Sequence, residues 1–347
     1  MKDQKIIVVT GAAGRIGSSI CKKLEGRYTV IGCELPAVAK KLNQSNLLPL
    51  DLGSDESVKQ TFSSIKSAYG TNIASVIHLA AYYSFSEEHS DNYDKITVKG
   101  TERLLSALQN FQVDQFLFTS TMLVHKPTKP GLPISETSPL EPSWDYPKSK
   151  AITEEKIRQQ KGSISSVILR ISGVYDDKCH SIPISHQIQR IYEHQFESHF
   201  FAGKTTHGAA FIHMDDLVDA IELAVEKRAD LPKETIIILS EPKTFSYDQL
   251  QRQISRLLFN KEFTTFSMPK FLSKIGAWLL CHIPLRKKPF IQPWMIQFAD
   301  DHYEMDTHLA EKLLGWKAKR SLDQTLPIII ADLKKDPKAW YKFNQLD

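Results

Sequence analysis

The chain has 347 residues, 41% of them hydrophobic and 24% charged, with a formal net charge of +4. That content buries a substantial core and excludes wholesale disorder. The mild charge, with no basic run denser than Arg286–Lys288, leaves no nucleic-acid footprint, and no apolar stretch reaches the ~18 residues a spanning helix needs.

From the amino end, "KIIVVT" (5–10) reads as a strand, and its apolar part is too short for the core of a secretory signal. Further strand-like runs follow at "YTVIGC" (28–33), "NLLPLD" (46–51), "SVIHLA" (75–80), "QFLFTS" (115–120), "SVILRIS" (166–172) and "TIIILS" (235–240). Several are almost unbroken apolar runs, the pattern of parallel strands covered on both faces. Helical spacing fills the gaps at 54–69, 94–110 and 147–160. The alternation predicts an α/β fold, a Rossmann-like doubly wound parallel sheet with right-handed crossovers.

From Thr244 onward the pattern becomes one helix after another, broken by Pro269, Pro284, Pro289, Pro293 and Pro327. The expected division is a dinucleotide-binding domain at 1–178, to which 206–240 return, and a smaller, partly helical substrate lobe from 179–205 and 241–347. Cys21, Cys33, Cys179 and Cys281 stand far apart with no Cys-x-x-Cys pair. This predicts neither a zinc site nor a disulfide framework, and fits a reducing, cytoplasmic setting.

Between the first strand and the helix after it lie Gly11, Gly14 and Gly17, in "TGAAGRIG". Backbone amides and the helix dipole meet at such a turn, and glycines let a phosphate approach the backbone closely. Arg15 within the loop either assists a phosphate or begins the helix facing solvent. The second strand ends at Glu34, about 20 residues on, where a carboxylate can bond ribose hydroxyls; an acid there favours NAD over NADP. Glu34 also reads as a plain surface acid at a strand end. Asp51, closing the third strand, is a further polar residue at the sheet's carboxyl edge, or a turn residue.

In "DYPKSKAITEE", Tyr146 and Lys150 lie one helical turn apart, with Pro147 in the first turn and Asp145 as the expected cap. A phenol beside an ammonium is a usable proton donor and acceptor, because the cation favours phenolate. The pair alone says little in a chain with 11 tyrosines. Its position, opening the helix after the fifth strand, gives it weight. That strand ends in Ser120 and Thr121, either of which can donate to a substrate oxygen, or simply close a strand.

"TGAAGRIG", "HLAA" (78–81), "FTSTMLV", "YPKSK", "LRISGVY" and "FIHMDDLVDAI" together resemble the extended short-chain dehydrogenases/reductases, the group of the NAD-dependent epimerase/dehydratase enzymes. The resemblance covers about 1–228 and continues loosely at "LAEKLLGW" (309–316). It implies an NAD-dependent enzyme acting on a small-molecule substrate, often as a homodimer. By position, Gly11, Gly14, Arg15, Ile16 and Gly17 resemble the pyrophosphate loop, Glu34 the ribose acid, Asp51 and Leu52 the adenine pocket, and Ala80 and Ala81 the wall beneath the cofactor. Thr121 takes the place of the catalytic Ser/Thr, Tyr146 the acid/base, and Lys150 the lysine serving ribose and phenol. His213 and Asp216 match a late motif that looks structural or substrate-adjacent.

Departures from the family pattern shape the expected chemistry. Met122 and Leu123 follow Thr121 where the 4,6-dehydratases carry Asp-Glu, so dehydration is not expected. Gly173 stands where nucleotide-sugar enzymes often have Asn, and Ala209 and Ala210 where they often have Arg, which weakens a grip on a diphosphate. Thr97 replaces the usual helix asparagine. The expected activity is hydride transfer at a secondary alcohol or ketone, with nucleotide-sugar epimerisation by transient oxidation and a non-catalytic NAD-binding protein as alternatives. The wording "LRISGVY" looks closer to hydroxysteroid-dehydrogenase and flavonol-reductase-like branches.

Two later segments remain open. "PKFLSKIGAWLLCHIPLRKK" (269–288) reads either as a helix resting on a membrane surface or lipid-like substrate, or as a lobe helix packed on the core. In "QPWMIQFADDHYEMD" (292–306), Trp294 and Tyr303 are candidate substrate contacts or packing aromatics. His302 and His308, with Asp300, Asp301 and Asp306, lack a recognised metal spacing.

Overall fold

The computed structural model describes residues 5–84, 89–283 and 290–346. Seven parallel strands form the central sheet: β1 (Ile6–Thr10), β2 (Thr29–Glu34), β3 (Leu47–Pro49), β4 (Asn72–His78), β5 (Gln112–Thr121), β6 (Ser165–Ile171) and β7 (Glu234–Leu239). Their order is β7-β6-β5-β4-β1-β2-β3. The chain reverses its direction of travel between β1 and β4, so a crevice opens there at the carboxyl edge.

Helices α1 (Arg15–Leu24), α2 (Pro36–Leu42), α3 (Asp55–Tyr69), α4 (Lys99–Leu108) and α5 (Asp145–Gln160) follow the first five strands. They are joined by α6 (Ile182–Tyr192), α7 (Met214–Glu226), α8 (Tyr247–Phe259), α9 (Lys270–Cys281), α10 (His308–Leu314), α11 (Leu322–Lys335) and α12 (Pro337–Phe343). Alternation along the strands divides the core. Ile7 and Val9 pack with α1 and α7, while Ile6 and Val8 pack with α3 and α4. Both faces are therefore dry, which is why the strands lack a polar alternation. A third cluster, from Ile184 and Ile188 through Ile254 to Leu326 and Trp340, joins α6, α8, α11 and α12. Ala310, Leu314 and Trp316 leave that helical region and join the core of the central sheet.

Three local expectations are corrected. Trp144, not Asp145, is the N-cap of α5; Asp145 is the first helical residue, and its carboxylate meets His89 Nδ1 at 3.0 Å. The 94–110 pattern is split into a π-helical turn (Tyr93–Val98) and α4. Pro327 does not break the chain but lies inside α11. Pro269 and Pro293 do stand at element starts, while Pro284 and Pro289 lie outside the described residues.

Candidate active site

The loop after β1 is shaped by contacts that side chains would forbid. Gly11 has φ +69° and donates its amide to Cys33 O at 2.9 Å. A Cβ there would sit 3.1 Å from Ala80 N, so the loop rests directly on the chain leaving β4. Gly14 caps α1 without a side chain. At Gly17 a Cβ would lie 2.1 Å from Gly11 O, far inside van der Waals contact with backbone. The three glycines thus form a shallow cradle at a helix start, whose amides and dipole suit an anionic phosphate. The residues present fit a dinucleotide's pyrophosphate.

The neighbouring predicted residues behave differently from one another. Both Glu34 oxygens accept backbone amides, Oε2 from Ala13 at 3.0 Å and Oε1 from Leu35 at 2.9 Å, so this acid braces the loop. Arg15 faces solvent and donates to His180 O at 3.0 Å. Ile16 packs its side chain on the core, leaving its backbone to the loop. Asp51 makes a turn, accepting from Gly53 N at 2.8 Å, and Leu52 is buried against Gly100. Ala80 and Ala81 are half-buried beside the loop. His78, the register partner of Thr10 in the sheet, is buried between Thr10 Oγ1 (2.7 Å) and Thr101 Oγ1 (2.9 Å). Burial drives it down to about 3, so it is neutral.

At the end of β5 the two hydroxyls part company. Ser120 turns inward and bonds the buried Glu154, whereas Thr121 accepts from Leu123 N at 3.3 Å and lies near enough to the Tyr146 phenol to favour its ionised form. Tyr146 is half-buried, and desolvation pushes its phenol up to about 12, against the pull of Thr121. This reverses the expected direction. Lys150 lies on the same helix face but sends its ammonium to Thr119 O at 2.8 Å, over the Phe118 ring at 4.6 Å. Burial brings Lys150 down to about 7, opposed by Glu154. Without a charged partner on the phenol, the loss of hydration dominates.

Two sets of neighbours escaped the sequence reading. One is an aromatic wall: Tyr83 stands edge-on to Tyr146 with centroids 4.8 Å apart, Trp144 lies at 5.4 Å and Tyr93 at 6.3 Å. Trp144 in turn meets Trp294 at 5.4 Å. Tyr93 opens the π-helical turn, an irregularity frequent at functional sites that the sequence pattern did not show. The other is a buried polar network beneath the site. Arg170 pairs with Glu154 at 2.6 Å and reaches His125 Nε2 at 3.1 Å and Glu136 O at 3.1 Å. Glu154 follows Lys150 by one turn, a spacing that could have been noticed.

Farther out, Ala210, Met122, Tyr303 and Met305 form one apolar cluster. A Cβ on Gly173 would meet the Phe211 ring at 2.9 Å, so the room for an asparagine is filled. His213 is the buried N-cap of α7, accepting from Asp215 N at 3.1 Å. Asp216 accepts from Lys319 N and Arg320 N, tying the later chain to α7. Both act as structural residues. Among the described residues no group of three or more His, Cys, Asp or Glu is gathered as a metal site, and no helix is long and apolar enough to cross a membrane.

Comparison with known proteins agrees with this geometry. The NAD dependent epimerase/dehydratase family matches residues 7–239. The uncharacterized UDP-glucose epimerase YtcB of Bacillus subtilis is 30% identical over 67% of this chain and 76% of its own length. UDP-glucose 4-epimerase uge1 of Schizosaccharomyces pombe is 29% identical over 47% of this chain, which spans only half of that relative. A 3 beta-hydroxysteroid dehydrogenase type 7 of Mus musculus is 22% identical over 92% of this chain and 93% of its own. The fold is that of a UDP-glucose 4-epimerase of Thermotoga maritima solved with UDP-glucose, at a TM-score of 0.69, with 22% identity, 96% of this chain covered and all of that one. The chain therefore belongs to the NAD dependent epimerase/dehydratase family, among the extended short-chain dehydrogenases/reductases.

Proposed function

We propose that the chain is an NAD-dependent oxidoreductase that moves a hydride between the cofactor and a secondary alcohol or ketone with an apolar body. The observation that carries this reading is the meeting of the Thr121 and Tyr146 hydroxyls at the carboxyl edge of β5, with Lys150 one turn along α5. Gly11, Gly14, Arg15, Ile16 and Gly17 would hold the pyrophosphate, Glu34 the adenosine ribose, Asp51 and Leu52 the adenine, and Ala80 and Ala81 the cofactor's underside. Lys150 would reach the second ribose. Bound there, the nicotinamide supplies the hydride acceptor or donor.

Thr121 donates to the substrate oxygen and fixes it against Tyr146. Tyr146 Oη takes the alcohol proton, or returns it to the developing alkoxide in reduction. A phenol near 12 is a poor base in the free chain. The positive charge that an oxidised nicotinamide would bring beside Tyr146 would lower it, which would tie removal of the alcohol proton to cofactor binding. The cofactor-binding domain in this reading is 1–178 with 206–240, and 179–205 with 241–347 form the substrate lobe, whose 310–316 stretch returns to the first core. NAD is favoured over NADP because Glu34 is a fixed anion beside the loop.

The aromatic wall and the apolar Met122–Ala210 cluster support an apolar substrate, and Gly173 and Ala209 offer no diphosphate grip. The full-length match to the mouse hydroxysteroid dehydrogenase points the same way. A second reading, nucleotide-sugar epimerisation, is favoured by the relatives called UDP-glucose epimerases. Purified chain with NAD is assayed at 340 nm against hydrophobic secondary alcohols, and separately for interconversion of UDP-glucose and UDP-galactose. Turnover of the alcohols supports the first reading; epimerisation without net NADH, together with tight UDP-sugar binding, replaces it with the second. Light scattering on the same sample reads the homodimer that the family resemblance implies.

A further inference from the structure

The helix α9 is inside out. Phe271, Leu272, Ile275, Trp278 and Leu279 recur at i, i+1, i+4, i+7 and i+8, the spacing of a core-facing stripe. All five are exposed, Phe271 at 65% and Trp278 at 52%. The face that packs inward, onto Pro293–Phe298 and Phe200–Ala202, is the one bearing Ser273, Ala277 and Cys281, of which only Ala277 is buried. Phe266 and Phe196 extend the exposed apolar surface at 57% and 74%, and Ile283 follows the helix at 45%. The expectation of a helix packed on the core through its apolar residues is thus overturned. A contiguous apolar patch of this kind marks a surface that is covered in use.

Charge and length narrow what covers it. No Asp or Glu occurs between Glu262 and Asp300, while Lys270, Lys274, Arg286, Lys287 and Lys288 do; the last three lie outside the described residues. Lys274 is exposed on the helix itself, whereas Lys270 is held by Asp300 and Gln297 O. Two further acids, Glu193 and Glu197, line a groove against Gly276, Leu279 and Leu280, and Glu193 is engaged by Gln189, Gln195 and Tyr341. Pairing two copies of this stripe face to face would set like charges together, whereas an anionic surface complements them. A helix of 12 residues is about 18 Å long, short of the ~30 Å of a hydrocarbon core, so it cannot span one.

We propose that α9 docks in the plane of an anionic lipid bilayer, with Phe271, Ile275 and Trp278 sunk among the acyl chains and Lys274 at the headgroups. The docked helix packs on the turn that carries Trp294, and Trp294 meets Trp144 beside Tyr146. The docked helix would thus stand between the bilayer and the turn that carries Trp294. The docking stands independently of the reading of the site, because it is read by flotation and not by turnover.

The test uses the full chain and vesicles of phosphatidylcholine with or without phosphatidylserine. The wild type floats with the phosphatidylserine vesicles and is released by salt. The triple variant Phe271→Ser/Ile275→Ser/Trp278→Ser loses at least roughly tenfold in binding, and Lys274→Glu weakens it in a salt-dependent way. The melting temperature and NADH affinity of each variant are measured alongside; should the triple variant fail to fold, Lys274→Glu and the single Trp278→Gln carry the comparison. Wild-type chain that stays behind with both vesicle types overturns the proposal. So does a dimer in light scattering that the triple variant splits while neither protein floats.

Discussion

Replacing Gly17 with alanine tests the cradle most directly, because general and local effects oppose each other. In a helix interior the exchange gains ~1 kcal/mol of propensity. At Gly17 the new Cβ arrives 2.1 Å from Gly11 O, 2.8 Å from Ala12 Cα and 2.9 Å from Gly11 C. All three are backbone atoms, so no side chain can swing away; the loop itself must retreat by about 1 Å, a distortion of the overpacking kind worth ~1–3 kcal/mol. Net stability falls by roughly 0–2 kcal/mol. The amides that would face a pyrophosphate move with the loop, and NADH affinity falls at least tenfold, about 1.4 kcal/mol. Gly276→Ala is the matched control, also in a helix but with nothing within 4 Å of the new atom; it gains ~0.5–1 kcal/mol and leaves NADH binding alone. Urea denaturation and NADH fluorescence titration read both quantities. If Gly17→Ala follows Gly276→Ala in both, the steric argument is wrong.

The remaining expectations concern the residues around that loop. Tyr146→Phe lowers turnover by about a hundredfold or more while NADH affinity holds, as steady-state rates and titration will show; unchanged turnover removes Tyr146 from its role. Glu34→Ala raises the NADPH-to-NADH affinity ratio by roughly tenfold, or about 1.4 kcal/mol, measured by parallel titrations. Arg170→Met leaves Glu154 buried without its partner and costs ~3–5 kcal/mol in denaturant, most of it recovered in Arg170→Met/Glu154→Leu. Glu241 is buried and desolvation lifts it to about 7, well above an unfolded glutamate, so between pH 4.5 and 7 the native chain holds the extra proton. Stability therefore falls as pH rises through that window, by up to ~3 kcal/mol, and Glu241→Gln flattens that part of the curve; an unaltered slope would show that the carboxyl titrates normally.

Much of the fold could be read before any coordinates. All seven sheet strands stand within a few residues of their predicted places, because strands dry on both faces are continuous apolar runs. The glycine loop was legible for a related reason, since its spacing answers to backbone contacts between Gly11 and Gly17. What the sequence hid depends on direction. Nothing in "STM" tells that Ser120 turns to Glu154 while Thr121 turns to Tyr146. The four-residue step from Tyr146 to Lys150 promised an ammonium on the phenol, yet Lys150 found Thr119 O first. Tyr83, Tyr93, Trp144 and Trp294 come from four separate segments, and only tertiary folding makes them a wall. The stripe on α9 was visible, but which way it faced was not.

The contact between Trp144 and Trp294 has an optical side. Two indoles 5.4 Å apart and inclined at 49° are close enough to couple their transitions, so this pair contributes its own signature to the near-ultraviolet circular dichroism. One ring precedes Tyr146 in the chain, and the other sits on the turn beneath α9. A molecule that enters by separating them erases that signature as it arrives. The contact between these two segments is thus readable without a label, before any product forms.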